Sequence, residues 1–168
     1  MTTRLVALAL AVLVAGCGTY ESTYSRRAAA PRELVLTYHD NRFRVTLAGQ
    51  MVAESGDWGG LSQAVSCAPE ARTWAESAAS RAGTGTIFVR GGVAMMIGGV
   101  AAGTALVVAD AHGDTLLIGG LGALSSVVIG LIALPTGLYL RADADTRAID
   151  AVNRYNDEVW SGGCARSR

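Results

Sequence analysis

Lysine is absent from this 168-residue chain: its fourteen basic residues are all arginine, and fourteen Asp and Glu bring the formal net charge to zero. Without an excess of positive charge the chain has no electrostatic footprint for nucleic acid, so no nucleic-acid partner is expected. Histidine is scarce. His39 and His112 fall in predicted turns without a ligand-spaced partner, and the three cysteines, Cys17, Cys67 and Cys164, are too far apart for a zinc signature. No metal site is expected; Asp110 and Asp114 beside His112 read as solvated turn residues. Nucleophile and phosphate-loop signals are missing too. Gly60-Leu61-Ser62-Gln63-Ala64 follows no strong strand and is not continued by a Ser, acid and His order. The glycine pairs near Gly98 and Gly120 lie in apolar segments without a Gly-Lys-Ser/Thr ending. Neither a cofactor nor an enzymatic activity is expected.

A further absence organises the rest. Residues 91–109 contain no charged side chain, and neither do residues 115–140. As α-helices rising about 1.5 Å per residue, these segments span roughly 28 and 39 Å, against about 30 Å of bilayer hydrocarbon. Only the turn Asp110-Ala111-His112-Gly113-Asp114 separates them, so they should be antiparallel neighbours with both outer ends on one side. Pro135 is placed to kink the second helix or to mark its exit from the apolar layer. The alternative, a buried helix pair in a soluble protein, needs apolar cover that a chain this small has little left to supply. Mean hydropathy is +0.33 with 51% hydrophobic residues, and much of that content sits in these two segments.

Small residues four apart let helix backbones approach closely where no hydrophobic force drives association. Gly99-x-x-x-Gly103 and Ala94-x-x-x-Gly98-x-x-x-Ala102 form two such rows on the first helix, and Gly122-x-x-x-Ser126-x-x-x-Gly130 forms one on the second. In this spacing the chain resembles the glycine-zipper two-transmembrane lipoproteins of bacterial envelopes, over about fifty residues. The alternative is that these glycines reflect only the composition of membrane helices.

The amino terminus has the plan of a signal peptide: Arg4, an apolar run over residues 5–14, then Ala15-Gly16 before Cys17. Val14-Ala15-Gly16-Cys17 resembles the bacterial lipobox, which implies diacylglyceryl transfer to the Cys17 thiol, cleavage before Cys17 and acylation of its new amine. An uncleaved anchor is disfavoured because the run is short for a span. Gly18 is not the aspartate that resembles an inner-membrane retention signal, which leans toward an outer membrane. An inner-membrane arrangement would also set Arg81, Arg90, Arg141 and Arg147 outside the cytoplasm, against the positive-inside tendency. Outer and inner membrane both stay open.

The resulting division is residues 1–16, lipoprotein signal peptide; 17–32, lipidated tether; 33–85, small extracytoplasmic region; 86–141, glycine-rich helical hairpin; 142–168, carboxy-terminal amphipathic helix and tail. Residues 34–38 and 42–47 alternate polar and apolar residues about His39-Asp40-Asn41 and predict a β-hairpin. Its apolar face should rest on a helix, on Met51 and Val52, or on the membrane surface. Pro69 and Glu70 open a helix with the stripe Ala71, Trp74, Ala75, Ala78 and Ala79, which Gly83-Thr84-Gly85 is expected to end. A last helix, residues 143–160, carries Ile149, Val152, Tyr155 or Asn156, and Val159 on one face. The fold class is therefore mainly α: a two-helix transmembrane hairpin, flanking amphipathic helices and a small N-terminal β-hairpin. With Cys17 lipidated, Cys67 and Cys164 remain on one oxidising side, where an intramolecular disulfide is favoured over free thiols or an intermolecular bridge.

The function expected from this plan is structural or interactive: a protein of the bacterial cell envelope, anchored in membrane lipid, with a hairpin that packs on itself, on copies as a homo-oligomer, or on a partner membrane protein. Two alternatives are an oligomeric pore or transport accessory, which the uncharged spans disfavour, and an extracytoplasmic binding module.

Overall fold

A computed structural model of the chain describes residues 32–109 and 112–165. The predicted signal peptide, the lipobox with Cys17 and nearly all of the tether lie outside the described residues, as do Asp110 and Ala111.

Three strands come first: β1 (Leu34–His39), β2 (Arg42–Leu47) and β3 (Gln50–Glu54), an antiparallel sheet in the order β1-β2-β3. Asp40 and Asn41 both take positive φ, 51° and 59°, so β1 and β2 are joined by the tight two-residue turn that fits strand twist. Ala48 and Gly49 repeat that geometry at φ 50° and 81° and launch β3, which the expected two-strand hairpin did not include. An alanine at positive φ is a poor turn signal, and it concealed the third strand. A register shift between Val45 and Thr46 makes Val52 the extra residue of a bulge.

A short helix α1 (Leu61–Ala64) leads to two long ones, α2 (Pro69–Val108) and α3 (Asp114–Trp160). Separate flanking helices were expected; the structure instead runs each straight into its apolar segment. Gly83-Thr84-Gly85 does not break α2, and Pro135 lies inside α3. Tertiary packing outweighs propensity at Gly85: a Cβ there would stand 2.8 Å from the Gly137 carbonyl oxygen, so the glycine allows helix contact rather than ending the helix. The turn that Pro135 deprives of an N–H donor is exposed, and next to it the Thr136 hydroxyl donates to the Ile132 carbonyl at 2.8 Å.

Close approaches set the direction of the helix pair. Gly85 faces Gly137, Gly92 faces Gly130, and Gly99 faces Ala123, so α2 and α3 run antiparallel. The seam has a seven-residue period along both helices. In α2 the buried row is Ala71, Ala78, Gly85, Gly92 and Gly99; in α3 it is Ala123, Gly130, Gly137, Ala144 and Ala151. This is the interval of helices wrapped about each other with a left-handed supercoil.

At one end of the pair the sheet and α1 form a head around a single core. Trp58, Leu34, Leu61, Val45 and Val65 are fully buried there with Ala71, Ala75, Ala78, Ala144, Ala148 and Ala151. Strand β1 docks on α3 through Asn156, whose Nδ2 donates to the Leu34 carbonyl and whose Oδ1 accepts the Leu34 N–H, both at 2.9 Å. Beyond the head the same helices are bare. Ile97, Val100, Val107, Leu117, Ile118, Leu131 and Ile132 are exposed, and only 11% of the most apolar eighteen-residue window of either helix is buried. Both helices are long and apolar enough to cross a membrane.

Candidate functional site

Three features carry chemistry or recognition. The first is a covalent closure. Cys67 follows α1, Cys164 lies in the 3-10 turn Gly163–Ala165, and their sulfurs are 2.09 Å apart, a disulfide that closes a loop of separation 97 around both long helices. It joins, at the head, the segment that leads into α2 to the one that follows α3.

The second is the seam. Of the small residues singled out from four-residue spacing, Gly99 and Gly130 are buried in it: a Cβ on Gly99 would meet the Ala123 carbonyl oxygen at 2.7 Å, and one on Gly130 the Gly92 carbonyl oxygen at 2.6 Å. Gly103 stands beside Ala123, its virtual Cβ 3.8 Å from that methyl, and Ser126 is half-buried. Gly98 and Gly122 would place a Cβ in open space, and Ala94 and Ala102 are exposed. The physical reason is the period: a four-residue row drifts off a seam that repeats every seven. The unbroken row Ala71, Ala78, Gly85, Gly92, Gly99 was the signal available in sequence.

The third is a polar cleft where the head meets the bare helices. It has a volume of about 640 Å³ and is walled by the β1-β2 turn, the segment after β3, and the middle of both long helices. Arg42, Arg90 and Arg141 line it together with Glu54, Asp57 and Asp145. Arg42 lies 3.7 Å from Glu54, which also takes Arg44 at 3.1 Å. Arg141 donates from Nη2 to the Thr86 hydroxyl at 3.0 Å, while its Nε is buried without a hydrogen-bond partner. Asp145 accepts the Trp58 indole N–H at 3.0 Å. Burial raises the Asp145 carboxyl above its usual range, and the Trp58 hydrogen bond and the Arg141 charge oppose that rise. Burial likewise raises the Tyr155 phenol, against the nearby charge of Arg32. None of these residues was singled out as a site from sequence, because they converge from three separate regions of the chain.

On the outside of the head, polar contacts lock the helices in register. Asp143 pairs with Arg81 and Arg147, each at 2.9 Å, and Arg147 also donates to the Ser77 hydroxyl at 3.0 Å. Arg154 pairs with Glu70, and the guanidinium carbons of Arg147 and Arg154 lie 5.6 and 5.3 Å from the centre of the Trp74 ring. Among the described residues no group of three or more His, Cys, Asp or Glu is gathered as a metal site. No family model, no curated protein and no solved structure matches the chain.

Proposed function

We propose that the chain is a lipid-anchored protein of the bacterial cell envelope, held by an acylated Cys17 and by the apolar ends of α2 and α3 in the same membrane, with a disulfide-closed head on the extracytoplasmic side. Its role is structural and interactive rather than enzymatic. The observation that carries this reading is the contrast along one helix pair: Ala78 and Ala148 are fully covered, whereas Val107 and Ile118 are 75% and 70% exposed. A helix pair of a soluble protein buries its apolar surface; this one leaves it bare over the length of a bilayer.

Chain geometry permits both attachments at once. The fifteen residues from Cys17 to Arg32 reach at most about 50 Å, whereas the fourteen residues of α3 between Arg141 and Tyr155, which lies beside Arg32, rise only about 21 Å. An acyl anchor at Cys17 and the apolar helix ends therefore fit one bilayer leaflet. Backbones meet across the seam at Gly85 and Gly137, Gly92 and Gly130, and Gly99 and Ala123. This disfavours a monomeric pore.

The test compares wild type with Cys17→Ala in a bacterial host, following lipid labelling and membrane retention after an alkaline wash. The reading expects the variant to lose the label and stay in the membrane. Release of the variant into the wash would contradict the apolar helices as a second attachment, and labelling of the variant would contradict Cys17 as the acylated residue.

A further inference from the structure

We propose that the cleft between the head and the bare helices binds the headgroup of a zwitterionic phospholipid, its phosphate on Arg90 and Arg141 and its ammonium on Asp57 and Asp145. The inference rests on the membrane reading above and deepens it, because it names the lipid chemistry that the head would recognise.

Position comes first. Arg90 is the last charged residue of α2 before its uncharged run, and Arg141 is the first charged residue of α3 after its own. Both line the same cleft. If the uncharged runs occupy hydrocarbon, this cleft lies at headgroup depth.

Charge comes second. Arg42 lies 3.7 Å from Glu54, whose nearer partner is Arg44 at 3.1 Å; besides these the cleft is faced by two guanidinium groups, Arg90 and Arg141, and two carboxylates, Asp57 and Asp145. The arginines are underused. Arg90 makes no ion pair or hydrogen bond among the described residues, and Arg141 offers five N–H donors but spends one on Thr86 while its Nε goes unpartnered. A guanidinium in this state suits a phosphate, which accepts several charge-assisted hydrogen bonds at once. The carboxylates decide between lipids. Among the described residues Asp57 accepts the Gly59 N–H at 3.1 Å and Asp145 the Trp58 N–H at 3.0 Å, both on Oδ1, and neither accepts another hydrogen bond. A lipid of net negative charge would satisfy the arginines and bring its excess charge against these two groups. An ethanolammonium offers them three N–H donors and a cation.

Space comes third. At about 640 Å³ the cleft is roomy for a headgroup and attendant water, and Gly83 on its wall would direct a Cβ into open space.

The test uses the full-length lipidated protein in detergent, titrated with phosphatidylethanolamine or phosphatidylglycerol of identical acyl chains and read by native mass spectrometry. Wild type should retain one phosphatidylethanolamine in preference to phosphatidylglycerol. Arg90→Ala should weaken that binding about tenfold, the loss of one charge-assisted contact. Asp57→Asn should abolish the preference between the two lipids. Both side chains are exposed and outside the core, and an intact Cys67–Cys164 bond in each variant verifies folding. Equal retention of the two lipids by wild type, or variants that bind as wild type does, would overturn the proposal. So would displacement by free phosphoethanolamine at equal concentration, which would assign the cleft to a soluble phosphate monoester. The alkaline wash of Cys17→Ala membranes separates the two readings: variant released by alkali defeats both, whereas variant that stays while the wild type shows no lipid preference defeats the headgroup site alone.

Discussion

Along one seam the two ends of the helix pair use different small residues. In the head the row is alanine, Ala71 and Ala78 on α2 against Ala144 and Ala151 on α3; beyond it the row is mostly glycine, Gly85, Gly92 and Gly99 against Gly137, Gly130 and, at the far end, Ala123. Alanine suits a helix in water, because it has the highest helix propensity and its methyl, once buried, contributes to the hydrophobic effect. Neither benefit survives in lipid, where apolar surface loses nothing by staying outside. There association rests on van der Waals contact between backbones, and glycine brings them closest. The switch occurs at Gly85 and Gly137, level with Arg141 and the polar cleft. On the membrane reading proposed above, one repeat serves two solvents mainly by exchanging alanine for glycine.

The largest effect that would break this comparison lies in the head. Trp58 is fully buried, and Trp58→Ala should cost about 3 to 5 kcal/mol of head stability. Thermal unfolding in detergent should show the near-ultraviolet signal of the head lost early while far-ultraviolet helicity of the apolar segments persists. Loss of both together would mean that the two regions do not differ as described. Removal of the disulfide by Cys67→Ser with Cys164→Ser should follow at about 2 to 4 kcal/mol, in the same assay.

Next come paired glycines in the apolar region. A Cβ at Gly92 would lie 3.0 Å from the Leu134 nitrogen and 3.1 Å from the Gly130 carbonyl oxygen, whereas one at Gly91 meets nothing. Gly92→Leu should lower resistance to SDS-induced unfolding by about 2 kcal/mol or more, from forced separation of the backbones, and Gly91→Leu should stay within about 0.5 kcal/mol of wild type. Ala78→Gly, which imposes the apolar region's residue on the head, should cost about 1 kcal/mol from helix propensity alone.

The smallest effect is electrostatic. The folded Asp145 carboxyl titrates above its ordinary value of 3.8 because burial disfavours its charged form. Its contribution to stability is therefore fully present below that value and is lost as pH rises through the raised one. In lipid-free detergent, Asp145→Asn keeps an oxygen to accept the Trp58 N–H. It should raise the melting temperature of the head at neutral pH, and the gain should shrink as pH falls toward 3.8. A gain that grows on acidification would contradict the assigned direction.

Much of this architecture was legible in sequence because it depends on composition over long windows. Two uncharged runs predict two long apolar helices, and the alternation Phe43, Val45, Leu47 predicts the face of β2 that packs on the core. The disulfide pair followed from counting cysteines on one side of the membrane plan. What escaped depends on facing partners. Gly91 and Gly92 are indistinguishable locally, as are Gly98 and Gly99, and only the partner helix decides which of each pair is buried. Gly83 and Gly85 looked like a break because propensity is local, whereas their tolerance comes from Gly137 across the seam. The cleft was out of reach for a similar reason: Asp57, Arg90 and Arg141 meet only after the sheet has folded against the helices.

Cysteine accessibility in intact membranes tests the central claim most directly. Thr73→Cys on the head, Val100→Cys on α2 and Leu131→Cys on α3 all replace exposed side chains, and each would be treated with a membrane-impermeant maleimide before and after detergent. The account predicts that position 73 is labelled at once, while positions 100 and 131 are labelled only after detergent. Equal labelling of all three in intact membranes would contradict it and place the glycine half of the seam in water.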